Sequence, residues 1–142
     1  MEYLIEFDKG KWFIKEADGP YKKIDLEDRL LKFSVNSLKF LMSLPQNKEF
    51  NVFKYQFSKS STSIGANFEE AQSSTYREFI QRMRTALREA NESVYWLKIL
   101  NELKVGDDQS RIDLLNEAIE ISKILGSIVS KAHKNLRHQD SD

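Results

Sequence analysis

The sequence predicts an all-α protein, an antiparallel up-and-down four-helix bundle with a short N-terminal β-hairpin. Four segments of roughly 20–30 residues carry apolar side chains at helical spacing. Only two prolines and five glycines occur in 142 residues, and they avoid most of these segments. Residues 2–16 alone alternate between apolar and polar positions. Four helices with short connections must alternate in direction, so each buries its apolar stripe against the others.

The hairpin is predicted from two alternating runs around a Lys-Gly turn. Tyr3, Ile5 and Phe7 form the first run, and Trp12 and Ile14 form the second. An isolated hairpin is marginal in water, so we expect its aromatic face to dock on the bundle or on a neighbouring subunit. A loop at 17–20 follows. The predicted divisions are a hairpin extension at 1–22, the bundle at 23–137 and a disordered tail at 138–142.

The first two helices are bounded by caps and a proline. Helix 1 begins near the cap Asp25 and ends near Leu44, because Pro45 disfavours helix in the residue before it. Helix 2 is predicted from about residue 48 to 72. The expected inward positions are Leu30, Phe33, Leu38 and Leu41 in helix 1, and Phe50, Phe53, Phe57, Ser60/Ser61, Ile64 and Phe68 in helix 2.

The last two helices have the clearest pattern. Thr75 and Glu78 form a capping box that starts helix 3, predicted over 76–103. A Gly-Asp-Asp turn at 106–108 precedes helix 4. The expected inward positions are Phe79, Met83, Leu87, Ala90, Val94, Leu97 and Leu100 in helix 3, and Leu115, Ala118, Leu125, Val129, Ala132 and Leu136 in helix 4.

Composition narrows the function classes. Lys plus Arg equals Asp plus Glu at 22 each, so any attraction to nucleic acid needs a local patch. The absence of cysteine excludes disulfides, thiolate metal sites and cysteine nucleophiles, and it fits a reducing cytosol. The acidic N-terminus does not fit a signal peptide, and no apolar run is long enough to span a bilayer. We expect a soluble cytoplasmic protein that does not bind membrane.

Small residues fill the second half of helix 2, around Ser63 and Gly65. A glycine inside a helix costs about 1 kcal/mol against alanine, which favours a close helix crossing that needs the missing side chain. A phosphate-binding loop is the alternative, but the spacing fits neither a P-loop nor a dinucleotide fingerprint. Asn67 and Glu70 are either buried polar anchors that fix helix register or exposed residues.

Three arginines, Arg77, Arg84 and Arg88, lie within about 40° of one another on helix 3, opposite its apolar stripe. Such a row can bind phosphate groups or a partner. In a monomer, the alternative is a solvated face that pairs with neighbouring acids, and repetition around an oligomer would strengthen the binding interpretation. Those acids are Glu78, Glu89 and Glu92.

Tyr95 and Trp96 lie near the middle of helix 3. Trp96 is at the edge of the core stripe, and Tyr95 points toward the arginine side. Outward aromatic residues on a long helix often mark a subunit interface. Coverage of these rings by the N-terminal hairpin is an equally good interpretation.

Two acidic pairs and two histidines are candidates for metal binding or catalysis. Paired glutamates on facing helices bind Mg²⁺ in some all-α nucleotide hydrolases, but Glu92 and Glu120 lie off the core stripes. The two histidines lie near the basic C-terminal end without a catalytic partner. We therefore expect ordinary surface residues, and the alternative is weak binding of nucleic acid or of a partner. These residues are Glu89, Glu92, Glu117, Glu120, His133 and His138, with Lys131, Lys134 and Arg137. We predict no catalytic residue, metal site or cofactor.

Two motifs resemble those of a known family. They are the run 60–71 (SSTSIGANFEEA) and the run 86–100 (ALREANESVYWLKIL), preceded by REFI at 77–80. Together with weaker similarity over helix 1 and residues 121–125, they resemble the four helix bundle proteins encoded in intervening sequences of 23S ribosomal RNA genes. The resemblance covers about residues 25–130.

The resemblance implies a bundle that assembles into a ring, commonly a pentamer, with no enzymatic activity. A similar protein, the accessory variability determinant of diversity-generating retroelements, is a basic pentamer that binds nucleic acid and its reverse transcriptase. This chain differs in having no net charge. The leading hypothesis is a homo-oligomeric scaffold for a macromolecular partner. The alternatives are a nucleic-acid-binding accessory protein and, more remotely, a Mg²⁺-dependent nucleotide hydrolase.

Overall fold

The computed structural model describes the backbone of residues 3–16 and 24–140, and the side chains of residues 4–15 and 24–135. The predicted loop at 17–20, with Pro20, lies outside the described residues. The strands are β1 (Tyr3–Asp8), β2 (Lys11–Glu16) and β3 (Ile24–Asp25), and the helices are α1 (Leu26–Ser43), α2 (Lys48–Ala71), α3 (Tyr76–Leu103) and α4 (Asp108–Asp140).

The helices form the predicted antiparallel bundle. Each successive pair is joined by hydrogen bonds in which residue numbers rise along one helix and fall along the other. The pairs are Ser34 to Ser61 and Lys54 to Leu44 between α1 and α2, Ser93 to Ser60 and Arg82 to Glu70 between α2 and α3, and Tyr76 to Ala132 and Arg111 to Asn101 between α3 and α4. α1 and α3 therefore run in one direction, and α2 and α4 in the other.

The predicted caps of α1 and α3 are confirmed. The Asp25 carboxylate accepts from the backbone N–H of Asp28 at 3.4 Å. At α3, the Thr75 side chain and Glu78 form the reciprocal capping box. The cap of α2, Asn47, was not predicted; its side chain accepts from the N–H of Phe50 at 2.7 Å.

α4 begins at a charged cap. The Asp107 carboxylate accepts hydrogen bonds from the backbone N–H of Ser110 at 2.9 Å and from its hydroxyl at 2.8 Å. These bonds favour the ionised form, and they hold the pKa of Asp107 below its usual value. The helix then continues to Asp140, so the backbone is helical over the first three residues of the expected tail.

The core confirms most inward positions, but helix 1 needs a correction. Leu38 is 37% exposed, and Phe40 fills the core instead. The error arose because the inward stripe passes through Ser37, a buried polar residue that interrupts the apolar pattern. In α4, Leu115 and Val129 only flank the core. The residues buried in their place are Leu114, Ile121, Ile124 and Ile128.

Buried serines bring the helices together at the centre of the bundle. Ser60 and Ser61 of α2 are buried, as are Ser34 of α1 and Ser93 of α3. Ser34 donates to the carbonyl oxygen of Ser61 at 3.1 Å, and Ser93 donates to the Ser60 hydroxyl at 2.9 Å. Small side chains let the backbones approach, and their hydroxyls remain hydrogen-bonded, as buried polar groups require.

The hairpin closes the end of the bundle at the α2–α3 turn. Trp12 stacks on Phe79 with ring centroids 5.9 Å apart, and its indole N–H donates to the Gln72 side chain at 3.0 Å. Ile14 is buried in the core. The sequence did not predict β3, which pairs with β2 through Ile24 and Asp25 and joins the hairpin directly to α1. Within the described residues, every helix is too short or too polar to cross a lipid bilayer.

Candidate interaction surfaces

The three predicted arginines lie on the outward face of α3, and all three are exposed. The Arg84 guanidinium lies 3.1 Å from Nδ1 of His133, which links the row to α4. A guanidinium can only donate, so this contact requires Nδ1 to accept and places the proton of the neutral imidazole on Nε2. Arg84 therefore connects the arginine row of α3 to α4 at the surface.

Two of the three acids that the sequence places near the row, Glu78 and Glu92, have other partners. Glu78 belongs to the capping box, and Glu92 accepts the indole N–H of Trp96 at 3.1 Å. Partial burial, followed by repulsion from Glu92, raises the pKa of Glu89, whereas the positive charges of Lys59 and Arg88 oppose the shift. Glu89 thus lies close enough to Arg88 to feel its charge, while Glu78 and Glu92 make bonds elsewhere on α3.

An ion pair that the sequence analysis missed joins α2 and α3. Arg82 contacts Glu70 on the side of α3 that faces α2. Glu70 is exposed and is thus not a buried anchor. Asn67 is only half-buried, and its amide donates to the carbonyl oxygen of Ser63 in the same helix at 2.8 Å. Asn67 and Glu70 therefore form hydrogen bonds and an ion pair near the surface.

Gly65 lies against α1, as predicted, but the crossing does not require the missing side chain. A Cβ on Gly65 would lie 3.6 Å from Cβ of Leu30, which is an ordinary van der Waals distance. The close approach of α1 and α2 comes from Ser34 and Ser61, whose hydrogen bond spans the interface at 3.1 Å. Ser63 is half-buried and donates to Lys59 of its own helix.

Tyr95 and Trp96 have different environments. Trp96 packs edge-on against Phe53 of α2, with ring centroids 5.6 Å apart. Tyr95 is 60% exposed and touches the Trp96 ring at a centroid distance of 5.8 Å. Trp12 of the hairpin stacks on Phe79, which lies about 24 Å from Tyr95 along α3. Phe53, and not the hairpin, therefore covers Trp96.

An apolar row on the outer face of α1 was missed by the sequence analysis. Its side chains are spaced by four, three and four residues and remain exposed, up to 84% for Met42. The row consists of Leu31, Val35, Leu38 and Met42. The sequence of α1 contains this row as a second apolar stripe at helical spacing, whereas the prediction assigned one apolar stripe to each helix.

The four candidate glutamates point in different directions. Glu117 lies on the α1 side of α4 and accepts from Nε of Arg29 at 2.9 Å, whereas Glu89 faces α2, near Lys59. Glu120 is half-buried in α4. Across residues 3–16 and 24–140, no group of three or more potential metal ligands is assembled. The arrangement offers no shared site for Mg²⁺.

The C-terminal basic end is described only in part. Lys131 and Lys134 are exposed, and His133 is half-buried against Arg84. The side chains of Arg137 and His138, together with the predicted inward position Leu136, lie outside the described side chains. The described part extends the cationic surface of α3 onto α4.

A groove of about 1020 Å³ lies between α1 and α4. Its α1 wall carries Arg29, Lys32 and Lys39, and its α4 wall carries Asp113 and Glu117. The Asp28 carboxylate accepts a hydrogen bond from Lys32, which raises the pKa of this lysine. Charges of both signs thus line the groove, and two ion pairs lie within it, Arg29 with Glu117 and Lys32 with Asp28.

The fold and its surfaces define an antiparallel four-helix bundle with an arginine row on α3 and an exposed apolar row on α1. The family model described as 23S rRNA-intervening sequence protein matches residues 22–127. The chain belongs to this family, as the two sequence motifs predicted.

A solved structure supports the same assignment. The chain is similar to a protein of unknown function from the S23 ribosomal protein family of Bacteroides thetaiotaomicron, with 34% sequence identity and a TM-score of 0.66. The match covers 73% of this chain and 97% of that chain. No curated protein matches the chain.

Proposed function

We propose that the chain is a non-enzymatic, homo-oligomeric scaffold, assembled as a ring of five copies, that binds a macromolecular partner in the cytoplasm. The observation that carries this proposal is the alignment of exposed apolar side chains into continuous rows. Single exposed apolar residues are normal on a protein surface, whereas contiguous ones mark contact surfaces.

The two rows lie on different helices. The α3 row consists of Tyr95, Ile99 and Leu103, at i, i+4 and i+8, and its middle residue Ile99 is half-buried. Tyr95 and Leu103 are 60% and 58% exposed. Neither row contributes to the bundle core, so burial of both against other copies would stabilise an assembly without disturbing the fold.

Charge segregation supports a separate surface for the partner. Arg77 and Arg84 lie on α3 toward its N-terminus, away from Leu103, and His133 and Lys134 lie beside them on α4. In a ring, this cationic patch repeats once per copy. Repeated weak contacts raise the overall affinity for an extended acidic partner by increasing the effective concentration of each further contact.

Light scattering during size exclusion tests the assembly. We expect a mass near five times the 16.6 kDa of one chain at micromolar concentration. A mass equal to that of one chain would refute the scaffold proposal. Native pull-down with and without nuclease then separates protein partners from nucleic-acid partners.

The second candidate is a nucleic-acid-binding accessory protein, favoured by the arginine row on α3. Binding to RNA or DNA would weaken as salt increases, with a log–log slope of roughly −0.7 to −0.9 per phosphate contact. We expect Arg84→Glu to lower both the affinity and this slope. Arg82→Glu is a matched control, because Arg82 carries the same charge but pairs with Glu70 on the α2 side. No binding at low salt would exclude this candidate.

A further inference from the structure

We propose that β1 pairs edge to edge with β1 of a second copy of the chain, antiparallel and in the register that places Ile5 opposite Ile5. The hairpin that carries β1 precedes the residues matched by the family model, 22–127. The contact lies on the hairpin and not on the apolar rows of α1 and α3. It is therefore independent of the proposed assembly through the helices.

β1 is an edge strand. The sheet has the order β1-β2-β3, so one side of β1 pairs with β2 and, among the described residues, the other side has no strand beside it. Phe7 lies on the bundle-facing side of the hairpin, because it is paired with Trp12, which stacks on Phe79. It is nevertheless 58% exposed. β1 therefore extends past the bundle at this point, with its outer edge toward solvent.

This edge lacks the features by which proteins prevent a strand from pairing with another chain. Such features include lysine or proline in the edge strand and a β-bulge that bends it away. The segment 3–8 (YLIEFD) contains neither lysine nor proline, and it pairs with β2 in continuous register without a bulge. Leu4, on the side away from the bundle, is 52% exposed. An unprotected edge with exposed apolar side chains is suited to the addition of a further strand.

The hairpin turn indicates which backbone groups of β1 are available. Lys9 and Gly10 both have positive φ, +50° and +78°, as in a two-residue turn of type I′. Such a turn joins the residues on either side of it, Asp8 and Lys11, by a hydrogen bond. Hydrogen bonding alternates along an antiparallel ladder. The even-numbered residues of β1 therefore bond to β2, and the odd-numbered residues direct their N–H and C=O groups to the free edge.

A two-fold axis at Ile5 uses all of these edge groups. Tyr3 then lies opposite Phe7, and Leu4 lies opposite Glu6. Each opposed pair of odd-numbered residues exchanges two hydrogen bonds, which gives about six between the copies. Opposed residues point to the same side of an antiparallel sheet, so the bundle-facing sides of the two hairpins form one continuous face.

The neighbouring registers are less favourable. An axis at Glu6 places the two Glu6 residues directly opposite each other, and like charges in that position are destabilising. An axis at Leu4 limits the pairing to residues 3–5 and removes about two of the six hydrogen bonds. The register centred on Ile5 is the longest one that keeps the acidic residues of β1 apart.

The proposed contact is small, since it pairs only residues 3–7 of each copy. Interfaces below about 1,200 Å² are typical of weak association. We therefore expect the pairing at concentrations above the micromolar range in which assembly through the helices is measured. The mass expected in that range is unchanged.

Disulfide trapping tests the register directly, because the chain has no cysteine of its own. The positions of Leu4→Cys and Glu6→Cys lie opposite each other in the proposed pair, with Cα atoms about 4.5 Å apart, within reach of a disulfide. In either variant alone the two thiols are diagonal neighbours about 7–8 Å apart, beyond that reach. We expect an equimolar mixture under mild oxidation to form the linked dimer on the order of ten times faster than either variant alone.

Two controls accompany the mixture. Leu4→Cys mixed with Asn36→Cys measures random collision, because both positions are exposed and Asn36 lies on α1, about three helical turns from the hairpin. Adding Phe7→Pro to both edge variants removes an N–H that points to the free edge, so the hairpin keeps its bonds to β2 while pairing between copies is blocked. Circular dichroism checks the fold. We expect this substitution to lower the rate to that of random collision.

The proposal is overturned if the mixture of Leu4→Cys and Glu6→Cys reacts no faster than the collision control, which would leave the edge to a strand of another protein. It is also overturned if either variant alone reacts as fast as the mixture, or if Phe7→Pro leaves the rate unchanged. These outcomes depend only on the hairpin. The mass of the wild type at micromolar concentration tests the scaffold proposal separately.

Discussion

The α3–α4 turn offers a sharp test of the packing, through Gly106→Ala. Gly106 has a φ of +78°, and a Cβ there would lie 2.8 Å from side-chain atoms of Phe40 and Leu44, which are both buried. The left-handed backbone costs alanine about 1–2 kcal/mol. Forcing the buried neighbours apart costs about 1–3 kcal/mol more. We expect a total loss of about 2–5 kcal/mol in the free energy of unfolding.

Gly10→Ala is the matched control. Gly10 has the same φ of +78°, but nothing lies within 4 Å of the added Cβ. Its cost should be limited to the backbone term of about 1–2 kcal/mol. Urea unfolding followed by circular dichroism gives the global free energy, and Trp12 fluorescence in a Trp96→Phe background reports the hairpin. The reasoning fails if Gly106→Ala is no more destabilising than Gly10→Ala.

Three further substitutions test separate contacts. Gly65→Ala should stabilise the chain by about 0.5–1 kcal/mol in urea unfolding, because the Cβ meets Leu30 at 3.6 Å without a clash; a loss of stability would contradict this. Glu89→Gln should raise the melting temperature at neutral pH, because burial raises the pKa of Glu89 and makes its ionised form less stable in the folded chain. This penalty is complete above the folded-state pKa and absent below the unfolded-state pKa, so the difference from wild type should shrink on acidification, and a constant difference would contradict it. Arg111→Met should cost roughly 3 kcal/mol in urea unfolding, because the buried guanidinium donates to two carbonyl oxygens of the α3–α4 turn; a loss below about 1 kcal/mol would mean that water replaces these bonds.

The bounds of the helices were predictable because their signals are local. A side-chain cap needs only a polar residue at the right distance from the first turn, as at Asp25 and Thr75. Pro45 ends α1 by its own ring geometry. The capping box at Thr75 and Glu78 fixes the start of α3, and the observed bounds of α3 agree with the prediction at both ends.

The surfaces were less predictable, because burial depends on all four helices together. α1 carries two apolar stripes, and a helix taken alone does not indicate which one faces the core. Leu38 was placed inside and Ser37 was overlooked, although the structure reverses them. Likewise, the sequence offered two possible covers for Trp96, and the antiparallel pairing of α2 with α3 brings Phe53 to it.

By itself, the sequence determined the fold class, the helix bounds and the family, because capping, helix breaking and apolar periodicity act over a few residues and the family motifs are contiguous. Only the tertiary structure decided which apolar residues remain outside, which acids neutralise which arginines, and where the hairpin docks. Those outcomes depend on contacts between residues far apart in the chain, such as Trp12 with Phe79 and Arg29 with Glu117. Helix rotation and pairing set these contacts, and they follow from the combined burial of the whole core.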